Sequence, residues 1–86
     1  MKKNEMKTIL STNSYGSVIL NLKKVLDEKG IKRYTLARQI DTRFEVIDKW
    51  YEGEIVKMDL DILARICYVL GCDVSELLEY KNDRNA

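Results

Sequence analysis

The chain has 86 residues, 45% of them apolar and 34% charged, and its 15 Lys and Arg against 14 Asp and Glu leave a net charge of +1. That length suits one compact domain with a small core and no appended ligand-sensing domain, and the balance is that of a globular chain rather than a disordered one. No apolar run nears the roughly 20 residues needed to span a bilayer, and the start "MKKNEMKTILSTNSYG" lacks the pattern of a signal peptide, so a cytoplasmic protein is expected.

Residues 1–16 mix Lys, Asn, Ser and Gly with a short apolar patch, Met6, Ile9 and Leu10, which reads as a flexible arm or a short edge strand. From Ser17 the apolar positions Val18, Ile19, Leu22, Val25 and Leu26 recur at helical spacing up to Gly30, which predicts a first helix over 17–29 capped by Ser17. Leu36, Ala37 and Ile40 then share one face of a second helix that opens at Arg33. After Asp41-Thr42, residues Val46, Ile47 and Trp50 do the same up to Gly53. Two short helices meeting at a tight turn are implied, with Asp41 at the reversal because Asp tolerates the left-handed backbone region.

Beyond the loop "GEIVKM", Asp59 is placed to cap a fourth helix with Leu60, Leu63, Ile66, Cys67 and Leu70 on one face and Gly71 as its stop. The run "DVSE" at 73–76 is a capping box for a last short helix carrying Leu77 and Leu78. The tail "KNDRNA", 81–86, is expected to fray. Cys67 and Cys72 form a C-x4-C pair in a chain without histidine, which cannot complete a zinc shell, so both read as structural thiols. The missing histidine also removes the usual general base, and no constellation of carboxylates and lysines replaces it; neither enzyme activity nor a metal or cofactor is expected.

Helix, tight turn and helix, with small Ala37 in the first helix and apolar Ile47 and Trp50 ten and thirteen positions on, is the packing pattern of a helix-turn-helix. On those residues the chain resembles the lambda-repressor/Cro-like (XRE-type) helix-turn-helix family: "LARQIDTRFEVIDKWYEG" is similar to its LA-x-x-x-G-[VT]-x-x-x-x-I-x-x-[LIW]-x-x-G pattern, and "DLDILARICYVLGCDVSELLEY" to its fourth and fifth helices. The resemblance spans about 17–80 and departs from the pattern at Asp41, where the family usually has glycine. It implies an all-α, five-helix lambda-repressor-like domain that binds double-stranded DNA through a helix at about 42–51 and regulates transcription as a homodimer.

Carried over by position, the resemblance puts Arg43, Phe44, Glu45, Asp48 and Lys49 on the groove side, as candidates for base contact, while Val46, Ile47 and Trp50 face inward. Arg43 suits a guanine edge through its planar fork. Phe44 either lies on a thymine methyl or packs into the core or a partner subunit. Glu45 either completes a capping box with Thr42 or, if the cap falls at Arg43, is free to accept from cytosine N4. Asp48 is expected to pair with Arg43 or Lys49. Lys32, Arg33, Arg38 and Lys57, with Lys49, are candidate phosphate contacts, Arg33 opening the helix that faces the DNA backbone.

Tyr51 is expected at the surface, its hydroxyl available for a phosphate or for nothing. Leu77, Leu78 and Tyr80, with the Ile9-Leu10 arm, point to core packing first and a dimer interface second. The acidity of the groove helix keeps a rival alive, in which the same fold binds a protein partner and has little affinity for DNA.

Overall fold

The computed structural model describes residues 6, 8, 9 and 15–82. Its elements are β1 (Ser17–Leu20), α1 (Leu22–Lys29), α2 (Arg33–Gln39), α3 (Phe44–Glu52), α4 (Leu60–Leu70), α5 (Val74–Leu77) and β2 (Leu78–Lys81). The five expected helices are present, and a two-stranded antiparallel ribbon corrects the all-α expectation to a mostly helical one. Among the described residues no helix is long and apolar enough to cross a membrane.

The ribbon replaces the first turn of the helix expected from Ser17. Val18 and Ile19 are β-branched and carry a helical spacing only weakly. Pairing with the far end of the chain decides the matter, in the register Ser17↔Lys81, Val18↔Tyr80, Ile19↔Glu79 and Leu20↔Leu78. Asn21 N–H then donates to Leu77 O at 2.7 Å, and the chain turns into α1 at Leu22. For the same reason Leu78 leaves the last helix, and Lys81 is held in a strand where fraying was expected. Met6 and Ile9 are exposed; residues 1–5, 7 and 10–14 of the expected arm, Leu10 among them, like residues 83–86 of the tail, lie outside the described residues.

The core is built from one stripe per helix: Leu22, Val25 and Leu26 of α1, Leu36 and Ala37 of α2 with Ile40, Ile47 and Trp50 of α3, Ile62, Leu63, Ile66 and Leu70 of α4, and Leu77 of α5. Burying a side chain of this size removes roughly 1.5–3 kcal/mol of unfavourable hydration. Leu60, expected on the inner face of α4, is exposed. Asp59 caps the helix by accepting from Asp61 N–H at 2.9 Å and Ile62 N–H at 3.3 Å, which sets Leu60 in the first position facing outward and hands the inner position to Ile62. The box at α5 is as read, with Asp73 N–H donating to Glu76 Oε2 at 3.3 Å.

At the reversal between α2 and α3, Asp41 has φ 59°, in the left-handed region that costs most residues roughly 1–2 kcal/mol. The turn is held by Thr42 N–H donating to Ala37 O at 2.9 Å. It is held too by Arg65 of α4, whose guanidinium donates to Ile40 O at 2.9 Å and Asp41 O at 3.4 Å while its Nε pairs with Asp61 at 2.9 Å. Since Arg65 uses backbone carbonyls, Asp41→Gly keeps these bonds and relieves the φ penalty. Its urea midpoint is expected at or above that of the parent, whereas Asp41→Val, β-branched at positive φ, is expected to lose about 1–2 kcal/mol.

Candidate nucleic-acid interface

The inner side of α3 is fixed: Ile47 is fully buried and Trp50 is 3% exposed, so helix rotation about its own axis would open the core. That leaves Arg43, Phe44, Glu45 and Lys49 on the outer edge, all exposed. Arg43 is the N-cap residue, with φ −78° and ψ 150°, and no side chain caps the helix. Of the two readings of this helix start, a Thr42–Glu45 capping box or a cap at Arg43, the structure has the second. Thr42 is drawn into the turn by its bond to Ala37 O, one residue too early to cap, and Glu45 points to solvent without a partner among the described residues. The first N–H groups of α3, the positive end of its dipole, thus follow Arg43 without a side-chain cap.

Asp48 corrects a second expectation. It pairs neither with Arg43 nor with Lys49 but with Arg33, the first residue of α2, whose Nη1 lies 2.6 Å from Asp48 Oδ1 and 3.7 Å from Glu52 Oε2. The same guanidinium stands 4.5 Å from the centre of the Tyr51 ring and 5.9 Å from that of Phe44. Two of the carboxylates that make α3 acidic thus face α2, not the outside. At the half-exposure of these groups the ion pair itself is worth about 1 kcal/mol at most, and the two rings beside the guanidinium add to the contact between the helices. Arg33, expected to meet the DNA backbone, has its charge largely compensated inside the protein.

Tyr51 is half-buried, and its hydroxyl is in use: it donates to Asp27 Oδ1 of α1 at 2.8 Å, while Lys23 Nζ lies 3.0 Å from Asp27 Oδ2 and 5.4 Å from the Tyr51 ring centre. The hydrogen bond from Lys23, then that from Tyr51, holds the Asp27 carboxyl below its ordinary value. Lys23 is raised above its own by the same contact. Between these groups, Ile31, Lys32, Arg33, Tyr34, Phe44, Tyr51 and Asp27 line an open depression of about 340 Å³.

The other expected phosphate contacts are exposed and spread around α3: Lys32 at the N-cap of α2, its ammonium 6.0 Å from the Tyr34 ring centre, Arg38 in the last turn of α2, Lys49 on α3 and Lys57 in the following loop. Tyr34, half-exposed beside Arg33, and Arg65, which supports the turn, were not singled out from the sequence. Tyr34 had a signal in its position next to Arg33. Arg65 had none, because its acceptors are backbone carbonyls some 25 residues away in sequence. The Cys67 and Cys72 thiols are free and half-buried, and burial, then Cys67, raises that of Cys72 and keeps it protonated, as structural thiols should be.

Residues 21–83 match the model of the Cro/C1-type HTH DNA-binding domain. Among solved structures, a candidate DNA-binding protein from Bacteroides fragilis is similar at 25% identity and TM-score 0.65, the match covering 73% of this chain and all of the other. The transcriptional regulator VanUg is similar at 25% identity and TM-score 0.61, covering 87% of this chain and 97% of its own. No curated protein matches the chain.

The tie between α1 and α3 is open to titration. Asp27 has its carboxyl depressed in the fold, so its contribution is complete above the ordinary carboxylate value of about 3.9 and fades as the pH falls through the lower native one. In Asp27→Asn this share of the acid sensitivity should vanish, read from urea midpoints between about pH 2 and pH 6; an unchanged profile would mean that Asp27 is not coupled to folding.

Proposed function

Because the chain belongs to the family of Cro/C1-type HTH DNA-binding domains, we propose that it binds double-stranded DNA sequence-specifically, with α3 in the major groove, and regulates transcription by occupying its site. The observation that carries this reading is the rigid presentation of α3: a cationic, uncapped helix start and an exposed outer edge on an inner side locked by Ile47 and Trp50. A base-reading element needs that rigidity, since discrimination depends on bond geometry.

In this reading Arg43, Phe44, Glu45 and Lys49 reach base edges or the adjoining phosphates, Arg43 to a guanine, Glu45 to a cytosine N4 and Phe44 to a thymine methyl. Lys32, Arg38 and Lys57 meet phosphates. Asp48 acts through Arg33 by holding α3 against α2, and Arg33 adds less to phosphate neutralisation than a free arginine would. Two-fold pairing of the chain into a homodimer would present two such helices to half-sites of a near-palindromic operator, roughly 34 Å apart. The protein works by binding, without cofactor or catalysis, in the cytoplasm. The acidity that favoured a protein partner instead is reduced on the outer edge, where Asp48 and Glu52 are turned to Arg33 and Glu45 remains.

Polarisation titration against random and selected duplexes at several salt concentrations tests this reading. Affinity should fall as salt rises, and an absence of retention at low salt would favour the protein-partner alternative. Arg43→Ala should relax preference at one base position. Lys49→Ala should lower the slope of log affinity against log salt by about one, and Arg33→Ala by clearly less, because Asp48 and Glu52 already compensate that charge. Equal slope losses from Lys49→Ala and Arg33→Ala would show that the brace opens on DNA.

A further inference from the structure

The helix α4 ends at Gly71, which has φ 65° in the left-handed region and donates its N–H to Cys67 O. One residue on, Cys72 N–H turns back and donates to the same carbonyl at 3.1 Å. This is the closure of a helix end in which the residue after the glycine packs its side chain against the one five positions earlier. Here those two residues are the only cysteines of the chain, both free, half-buried and packed on the core. With standard bond lengths, an N···O contact of 3.1 Å holds the two Cα atoms within about 7 Å of each other. A disulfide needs Cα atoms roughly 4.4–6.8 Å apart. The thiols are also close enough for Cys67 to act on the titration of Cys72.

We propose that Cys67 and Cys72 are a redox-active dithiol that closes into an intrachain disulfide by exchange with a low-molecular-weight disulfide of the glutathione type. Cys67 attacks as the thiolate, forms a mixed disulfide and releases one small thiolate. Cys72 then gives its proton to water, attacks the Cys67 sulfur and expels the second small thiolate. The two cysteines lose two electrons and two protons in all, and the small disulfide gains them as two thiols. Burial, the larger cause, and Cys67 hold the Cys72 thiol protonated at rest, which suits it to the second step, where proximity offsets a low thiolate population.

The fold selects this chemistry. With no third cysteine, the internal bond has no rival within the molecule. Among the described residues no cluster of three or more His, Cys, Asp or Glu could hold a metal ion, so the two sulfurs act as a pair. Closure and folding are linked: by whatever factor the native turn favours the bond over the unfolded chain, the bond stabilises the native turn by the same factor. The inference goes beyond the DNA-binding reading and does not depend on it.

The full chain is equilibrated with mixtures of oxidised and reduced glutathione, quenched with acid and read by mass spectrometry. The parent should convert to a species lighter by two hydrogen atoms, and the effective concentration of one thiol at the other should be at least about tenfold higher in the folded chain than in denaturing urea. Cys67→Ser and Cys72→Ser, with one thiol each, should accumulate the glutathione adduct instead. The oxidised parent should have a higher urea midpoint than the reduced parent, and the same oxidant should leave the midpoint of Cys67→Ser/Cys72→Ser unchanged. A parent that takes up two glutathiones or cross-links between chains overturns the proposal, as does an oxidised form no more stable than the reduced one. The parent measurements decide the matter even where a serine variant folds poorly.

Discussion

The close crossing of α2 and α3 is the constraint on which the remaining geometry depends. Ala37 is small and 3% exposed, and its carbonyl accepts from Thr42 to close the turn, while Ile47 and Trp50 of α3 are buried in the same core cluster. Interiors pack like crystals, so this junction leaves α3 one orientation. Arg65 reaches from α4 to the carbonyls of the same turn, tying the crossing to the rest of the core through groups that no side-chain pattern reveals.

Electrostatics then act on an angle that packing has already fixed. Arg33 at the start of α2 meets Asp48 and Glu52 one turn apart on α3, with the Tyr51 and Phe44 rings beside its guanidinium. Tyr51 passes the connection on to Asp27 and Lys23 of α1. The acidity of α3, unexpected for a helix meant to lie against phosphates, is thereby divided. Two carboxylates brace the helix from behind, and Glu45 at its front is exposed. A local reading of i,i+3 and i,i+4 neighbours pointed Asp48 at Arg43 or Lys49, since helical periodicity says nothing about a partner on another helix.

The ribbon is the other product of distant contacts. Val18 and Ile19 satisfy a helical spacing with Leu22, yet four residues at each end of the domain, some sixty apart in sequence, pair instead. The pairing satisfies the backbone groups that face the partner strand and places Leu20 and Leu78 on the core, and the local preference is too weak to oppose it. The outer half of the ribbon is left with an apolar face and an alternating Glu79 and Lys81 edge, features that have meaning only once the register is known.

The sequence by itself determined the five helices, their stops at Gly30, Gly53 and Gly71, the left-handed turn at Asp41, the caps at Asp59 and Asp73 and the inner residues of α3. All of these follow from spacing within about a dozen residues, where backbone hydrogen bonding and side-chain period are local. Tertiary structure alone decided the strands at 17–20 and 78–81, the pairing of Arg33 with Asp48, the use of the Tyr51 hydroxyl and the grip of Arg65 on the turn. Each of those is a choice between partners brought together by folding, and the free energy that makes the choice does not exist until they meet.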